Sequence, residues 1–251
     1  MRSILIAAAL LAALPALPAS AAELTKIVAA ENFYGDLATQ IGGPHVAVTS
    51  ILSNPDQDPH LFESSASTAR DISAAAIVIY NGADYDPWMD KLISASTNPD
   101  RTSLVAAEIA GSKSGDNPHL WYNPKTLPAV AKALEADLEK RDPANAADFR
   151  KNLATFDAAF AKVLDQVNAV KAKYAGTSVT ATEPVFGYMA EALGFKMLNY
   201  DFQLATMNDT EPSASQVAGF EQSLKDGSAK ILFYNSQVTD DTTTRLLKLA
   251  Q

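Results

Sequence analysis

Apolar and polar positions fall in short blocks along the chain, and the block period switches repeatedly between that of a strand and that of a helix. "LTKIVAA" (24–30) is a nearly continuous apolar run and reads as a buried strand. "ENFYGDLATQIGG" (31–43) carries apolar residues at helical spacing and closes on Gly42-Gly43. "HVAVTSIL" (45–52) alternates and is β-branched, which predicts a second strand. "STARDISAAAIVIYNG" (67–82) passes from helix into a strand over Ile77–Tyr80, stopped by Asn81-Gly82. "DPWMDKLISAS" (86–96) is a helix with Pro87 in its first turn and Asp86 as its expected cap. Strands alternating with helices predict a mainly parallel α/β lobe, here with three strands.

The pattern then becomes helical for a long stretch. "PKTLPAVAKALEADLEKR" (124–141) is one helix, and Asp142-Pro143 opens another that runs to Gly176. Between those ends there is no Pro or Gly. Phe149, Leu153, Phe156, Phe160, Val163, Leu164, Val167 and Val170 recur at helical spacing. A helix of roughly 30 residues is about 45 Å long, more than one small lobe can cover. The expected role is a rigid spine between two lobes. Beyond it the alternation resumes with a strand over 177–182, helices over 185–194 and 211–227, a strand over 229–236 and the start of a helix in "DDTTTRLLKLAQ". Only two strands are evident here, so the second lobe reads as incomplete. The resulting division is a leader (1–21), a first lobe (22–142), a linking helix (143–175) and a second lobe (176–251).

The leader rests on Arg2, an apolar run broken by Pro15 and Pro18, and small residues ending Ala19-Ser20-Ala21. That is the pattern of a cleaved secretory signal, too short and interrupted for a comfortable membrane span. No cysteine follows it, so no lipid attachment site is present. The expected location is the periplasm, with no transmembrane segment in the mature chain. The absence of cysteine throughout excludes disulfides and thiolate metal sites alike. A formal charge of −9 argues against a nucleic-acid partner.

Histidine is where the chemistry concentrates. The chain has three, His45, His60 and His119, and each directly follows a proline. Neutral imidazole is the commonest nitrogen ligand for divalent transition metals. A preceding proline fixes one backbone dihedral and pushes the residue before it into extended geometry. "DPHLF" and "NPHLW" therefore read as two matching stiff loops, each presenting a ring just after an α/β unit. Ligand sites in open α/β lobes are built outside the carboxyl ends of strands. The structural alternative is two capping or core histidines. His45, in the turn "GGPHVAV", lacks the matching flank and reads as a turn residue. Asp58 is either a hydrogen-bond acceptor for a ring N–H or a turn residue.

Glu183 in "TATEPVFGY" follows a predicted strand, and Pro184 keeps its backbone extended. It is a metal ligand, a helix-terminus charge or a bystander. The aromatics Phe62, Trp121, Tyr122 and Phe186 flank these positions and read as packing. No His-Glu-x-x-His, Gly-x-Ser-x-Gly or Walker-type loop occurs.

Taken together, "DPHLFESSASTARDISAAAIVIYNGADYDPWMDKL", "NPHLWYNPKTLPAVAKAL" with "DPANAADFRKNL", and "TEPVFGYMAEALGF" with "EPSASQV" resemble the periplasmic metal-binding receptors of zinc and manganese ABC importers. The resemblance covers nearly all of the mature chain. It implies two α/β lobes bridged by one long rigid helix, with metal clamped between them and handed to an inner-membrane ABC permease. It implies His60 and His119 as first-lobe ligands. Glu183, three residues before Phe186, falls at a position that is histidine in many zinc receptors and glutamate in many manganese or iron receptors. The family's fourth ligand is an Asp or Glu in a late loop of the second lobe. It has no counterpart before Gln251, and Asp209 or Glu211 are the substitutes at hand. "GSKSGDN" stands where many zinc receptors carry a histidine-rich loop.

The expected protein is thus a monomeric, non-enzymatic receptor for Zn²⁺, Mn²⁺ or Fe²⁺. A set of two histidines and one glutamate leans toward Mn²⁺ or Fe²⁺ in the cell, although Zn²⁺ should bind more tightly in vitro. The rival readings are a mononuclear metallohydrolase, since two histidines, a carboxylate and water make a catalytic zinc set, and a surface adhesin with a structural metal.

Overall fold

The computed structural model describes residues 23–54, 57, 59, 62–96 and 98–251. The leader expected over 1–21, and with it Asp58 and His60, lies outside the described residues.

The first lobe runs β1 (Thr25–Glu31), α1 (Asn32–Gly42), β2 (Val46–Leu52), α2 (Ala66–Ala74), β3 (Ile77–Tyr80), α3 (Pro87–Ala95), β4 (Thr102–Val105), α4 (Ala106–Ala110) and α5 (Thr126–Arg141). Its strands pair in parallel in the order β2-β1-β3-β4. The period-2 geometry of a strand sends neighbouring side chains to opposite faces. Ile27, Ala29, Ile77 and Ile79 enter one core with α1, α5 and the start of the long helix. Val28, Ala30, Val78 and Tyr80 enter the other, beneath α2 and α3. Ile77 and Ile79 are fully buried, and each such side chain contributes about 1.5–3 kcal/mol. At Gly35 a Cβ would lie 2.0 Å from Ser50 Oγ, so glycine is what lets α1 cross β2 closely.

Four strands are present where the sequence pattern suggested three. β4 is a four-residue piece that opens on half-buried Thr102 and exposed Ser103, so no apolar run marks it. Asp86 also departs from expectation. It precedes α3, but its side chain does not cap the helix. Its carboxylate instead accepts the backbone N–H groups of Asn81 (2.6 Å) and Gly82 (2.7 Å), closing the turn that leaves β3.

The long helix α6 (Ala146–Tyr174) has 29 residues, about 43 Å at 1.5 Å per residue. A single 3₁₀ turn at Pro143–Asn145 precedes it. Phe149, Leu153, Phe156 and Phe160 pack on the first lobe, whereas Val163 and Leu164 are exposed. The apolar stripe is continuous in sequence, but the helix outruns that lobe's core.

The second lobe comprises β5 (Ser178–Ala181), α7 (Gly187–Ala192), β6 (Lys196–Met197), α8 (Tyr200–Met207), α9 (Ala214–Lys225), β7 (Leu232–Phe233) and α10 (Asp241–Ala250). Three strands, not two, form a parallel sheet in the order β6-β5-β7. β6 is only two residues long, which is why the pattern did not reveal it. The helix expected over 211–227 starts at Ala214, where Ser213 and Gln216 form a reciprocal capping box. Among the described residues, no helix is long and apolar enough to cross a membrane.

Both sheets repeat one arrangement. The first strand lies between the second and third, so chain connections diverge beside it and a crevice opens at the carboxyl ends. In the first lobe those ends carry Glu31 on β1 and Asn81 just after β3. In the second, Glu183 follows β5 and Asn235 follows β7.

Candidate metal centre

His119 stands in the loop between α4 and α5, 5% exposed, with its ring edge-on to Tyr85 and Trp121. Its Nδ1 is 2.7 Å from Asn117 Oδ1, and its backbone N–H donates to the same oxygen at 3.1 Å. The amide of Asn117 is oriented by its other end, because Nδ2 donates to the carbonyl of Pro184 at 2.7 Å. Oδ1 is therefore an acceptor, and Nδ1 of His119 must carry the proton. That places the ring's lone pair on Nε2, the tautomer that such an outer hydrogen bond selects in metal-binding histidines. Asn117 thus ties the His119 loop of the first lobe to the Glu183-Pro184 turn of the second. Tyr188 Oη adds a bond to the Asn117 carbonyl at 2.7 Å.

The Pro118–His119 segment is held from below. Asn81 is fully buried and donates from Nδ2 to the Pro118 carbonyl at 2.7 Å. Its Oδ1 accepts from Tyr34 Oη at 2.8 Å. Asp86 fixes the Asn81 backbone, so α1, the end of β3 and the start of α3 all converge on the histidine loop.

Glu183 is 6% exposed. A buried carboxylate needs donors, and Asn235 Nδ2 donates to Glu183 Oε2. Asn235 is pinned in turn by its own N–H on Thr182 Oγ1 (3.0 Å) and by Gln237 N–H on its Oδ1 (3.1 Å).

His119 and Glu183 wall one small cavity of about 30 Å³, together with Pro59, Tyr85, Trp121 and Asn235. That is room enough for a water molecule or a single ion. Pro59 is the chain neighbour of His60. A larger cavity of about 460 Å³ shares Pro59, Tyr85, Trp121 and Glu183 and opens toward Glu31. Phe33, Tyr122, Phe186 and Phe233 line it, so Trp121, Tyr122 and Phe186 border the cleft as well as packing on each other.

Glu31 and Asp86 form a buried acidic pair, 2% and 1% exposed. Among the described residues, neither Glu31 oxygen meets a donor N–H or O–H. Burial, and then the nearby Asp86 charge, hold the Glu31 carboxyl well above the usual range. Burial also pushes Asp86 up to about 6, against the pull of the Asn81 and Gly82 N–H groups. A proton on Glu31 directed at Asp86 satisfies both groups.

The structure brings His119 and Glu183 together, while His60 lies outside the described residues. Among the described residues, no three His, Asp or Glu side chains form a metal-sized cluster. His45 is elsewhere, bonded through Nε2 to Asp148 at 3.0 Å and edge-on to Phe149. Asp209 and Glu211 are exposed and border neither cavity. Sequence reasoning passed over Asn117, Asn235, Asn81 and Glu31. For Asn117 the signal was its place two residues before His119. For Glu31 and Asn81 it was a polar residue ending an apolar strand.

The family model of ZnuA, the zinc-uptake complex component A periplasmic, matches residues 27–251. The manganese-binding lipoprotein MntA of Bacillus subtilis (strain 168) is 23% identical over 92% of this chain and 78% of its own length. The iron ABC transporter substrate-binding lipoprotein MtsA of Streptococcus pyogenes serotype M1 is 25% identical over 85% and 72%. Among solved structures, the periplasmic zinc binding protein TroA from Treponema pallidum superposes with a TM-score of 0.74 at 20% identity, covering 91% of this chain and 84% of that one. The two parallel sheets, the long helix between them and the family match agree, and the chain belongs to the ZnuA family.

Proposed function

We propose that the protein is a periplasmic receptor that captures a divalent transition metal and delivers it to an ABC permease. The observation that carries this reading is the placement of His119 and Glu183, from different lobes, on the wall of one ion-sized cavity. His60, His119 and Glu183 are the proposed donors; Pro59, which precedes His60 in the chain, lines the same cavity.

Each residue has a separable task. His119 offers Nε2 because Asn117 holds the proton at Nδ1. Glu183 supplies a negative oxygen from the opposite lobe, so one ion draws the two lobes together. The held Pro118–His119 segment limits the entropy lost on binding. Capture without chemical conversion requires only donors and a route to release, which the cleft between the lobes provides. The names of the relatives span manganese, zinc and iron, and this donor set suits all three. Export through a cleaved signal and a monomeric state belong to the same proposal.

Isothermal titration with Zn²⁺ and Mn²⁺ tests it. One site is expected in the native protein, with binding abolished or severely weakened in His60→Ala and in His119→Ala. Unchanged stoichiometry and affinity in both variants would overturn the proposal.

A further inference from the structure

We infer that Asn235 tunes which divalent metals the site prefers, by occupying one oxygen of Glu183 so that this carboxylate coordinates through a single oxygen. The inference rests on the reading of Glu183 as a metal donor.

The geometry leaves the amide of Asn235 one orientation. Its Oδ1 is taken by the backbone N–H of Gln237. Its backbone N–H is anchored on Thr182 Oγ1, and Thr182 is itself fully buried. Nδ2 is therefore aimed at Glu183 Oε2, not free to rotate away. Both residues leave the carboxyl ends of neighbouring strands, β5 and β7, whose pairing of Thr180 with Leu232 and Ala181 with Phe233 sets their separation. The contact is thus built into the sheet register.

A carboxylate that accepts such a bond keeps its charge but coordinates poorly through both oxygens at once. Zn²⁺ loses little, because four ligands satisfy it and single-oxygen carboxylates are normal in its sites. Mn²⁺ favours six oxygen-rich ligands and gains from a chelating carboxylate. Asn235 therefore penalises Mn²⁺ relative to Zn²⁺. Glu183 by its residue type leans toward manganese or iron, and Asn235 works against that lean.

The test measures Kd for Zn²⁺ and Mn²⁺ by competition titration in the native protein, Asn235→Ala and Asn235→Leu. The leucine variant keeps the side-chain volume if alanine does not fold. Co²⁺ serves as a spectroscopic probe, since its visible bands are intense in four-coordinate sites and weak in six-coordinate ones. The expected result is a fall of about tenfold in the Mn²⁺-to-Zn²⁺ Kd ratio, with weaker Co²⁺ bands in the variants than in the native protein. An unchanged or increased ratio would overturn the inference and reduce Asn235 to a structural support. Weak, six-coordinate bands from the native protein would overturn it with no variant needed. Glu183→Ala separates the two levels. If it leaves both affinities unchanged, the assignment of Glu183 as a donor fails. If it weakens binding while the Asn235 variants keep the native ratio, only the role of Asn235 fails.

Discussion

Asn117 Oδ1 lies 2.7 Å from His119 Nδ1, and the other end of the same amide donates to the Pro184 carbonyl at 2.7 Å. One neutral side chain therefore sets the tautomer of a proposed metal ligand and links it to the turn that carries the other. Asn117→Ala should weaken Zn²⁺ binding by roughly 10–100-fold, the usual cost of losing a partner that orients a metal-bound histidine. Titration of the folded variant checks this, and native affinity would remove the role.

Gly187 guards that amide. A Cβ at this position would stand 2.9 Å from Asn117 Nδ2, and the amide cannot swing aside without losing its bonds. Gly187→Ala is expected to cost about 1–3 kcal/mol of stability by overpacking and to weaken metal binding about tenfold through Asn117. Thermal melting and titration read the two effects separately. A variant that melts lower but binds like the native protein would show that Asn117 tolerates displacement.

The Glu31–Asp86 pair predicts a pH-dependent stability of known sign. Glu31 holds its proton more tightly in the fold than its ordinary value of 4.5 implies. The folded state then binds more protons than the unfolded chain as pH rises, so the stability Glu31 lends is whole below 4.5 and is lost as pH rises through its raised value. Asp86 acts in the same sense between 3.8 and about 6. Glu31→Gln keeps an N–H for Asp86 and has no charge to bury. It should melt higher than the native protein at pH 8, by roughly 3 °C, and at the same temperature near pH 4. An equal gap at both pH values, or a lower melting temperature at pH 8, would contradict the shared proton.

Metal affinity should move with pH for a different reason. A metal displaces the proton from each imidazole it binds, so affinity should fall by about tenfold per pH unit per histidine ligand well below about pH 6.5. Titrations between pH 7.5 and 5 measure the slope. A flat profile would argue that no histidine coordinates.

Much of this was legible in the residues. Ile77–Tyr80 is a run of four apolar β-formers, and the strand falls on those residues. The long helix follows from the absence of Pro and Gly between 143 and 176. What the pattern missed were very short elements held by pairing, such as Lys196–Met197, where two residues bonded to β5 are too few to show a period. In the candidate site, His119 and Glu183 stood out as candidates from their places after Pro118 and at a strand end, and the fold sets them on one cavity wall. Asn117 and Asn235 were not, because an amide acquires its role only from the partners that fix its two ends. Asp86 was misplaced for a similar reason. Asp before Pro at a helix start satisfies the capping rule, and only the fold shows that the Asn81-Gly82 turn takes both oxygens.

The most direct test of the account is anomalous diffraction at the zinc or manganese edge from crystals of the metal-loaded protein. One strong peak is expected between the lobes, about 2.0–2.2 Å from His119 Nε2 and from an oxygen of Glu183, with His60 completing the set. A well-occupied peak that touches neither His119 nor Glu183 would contradict it.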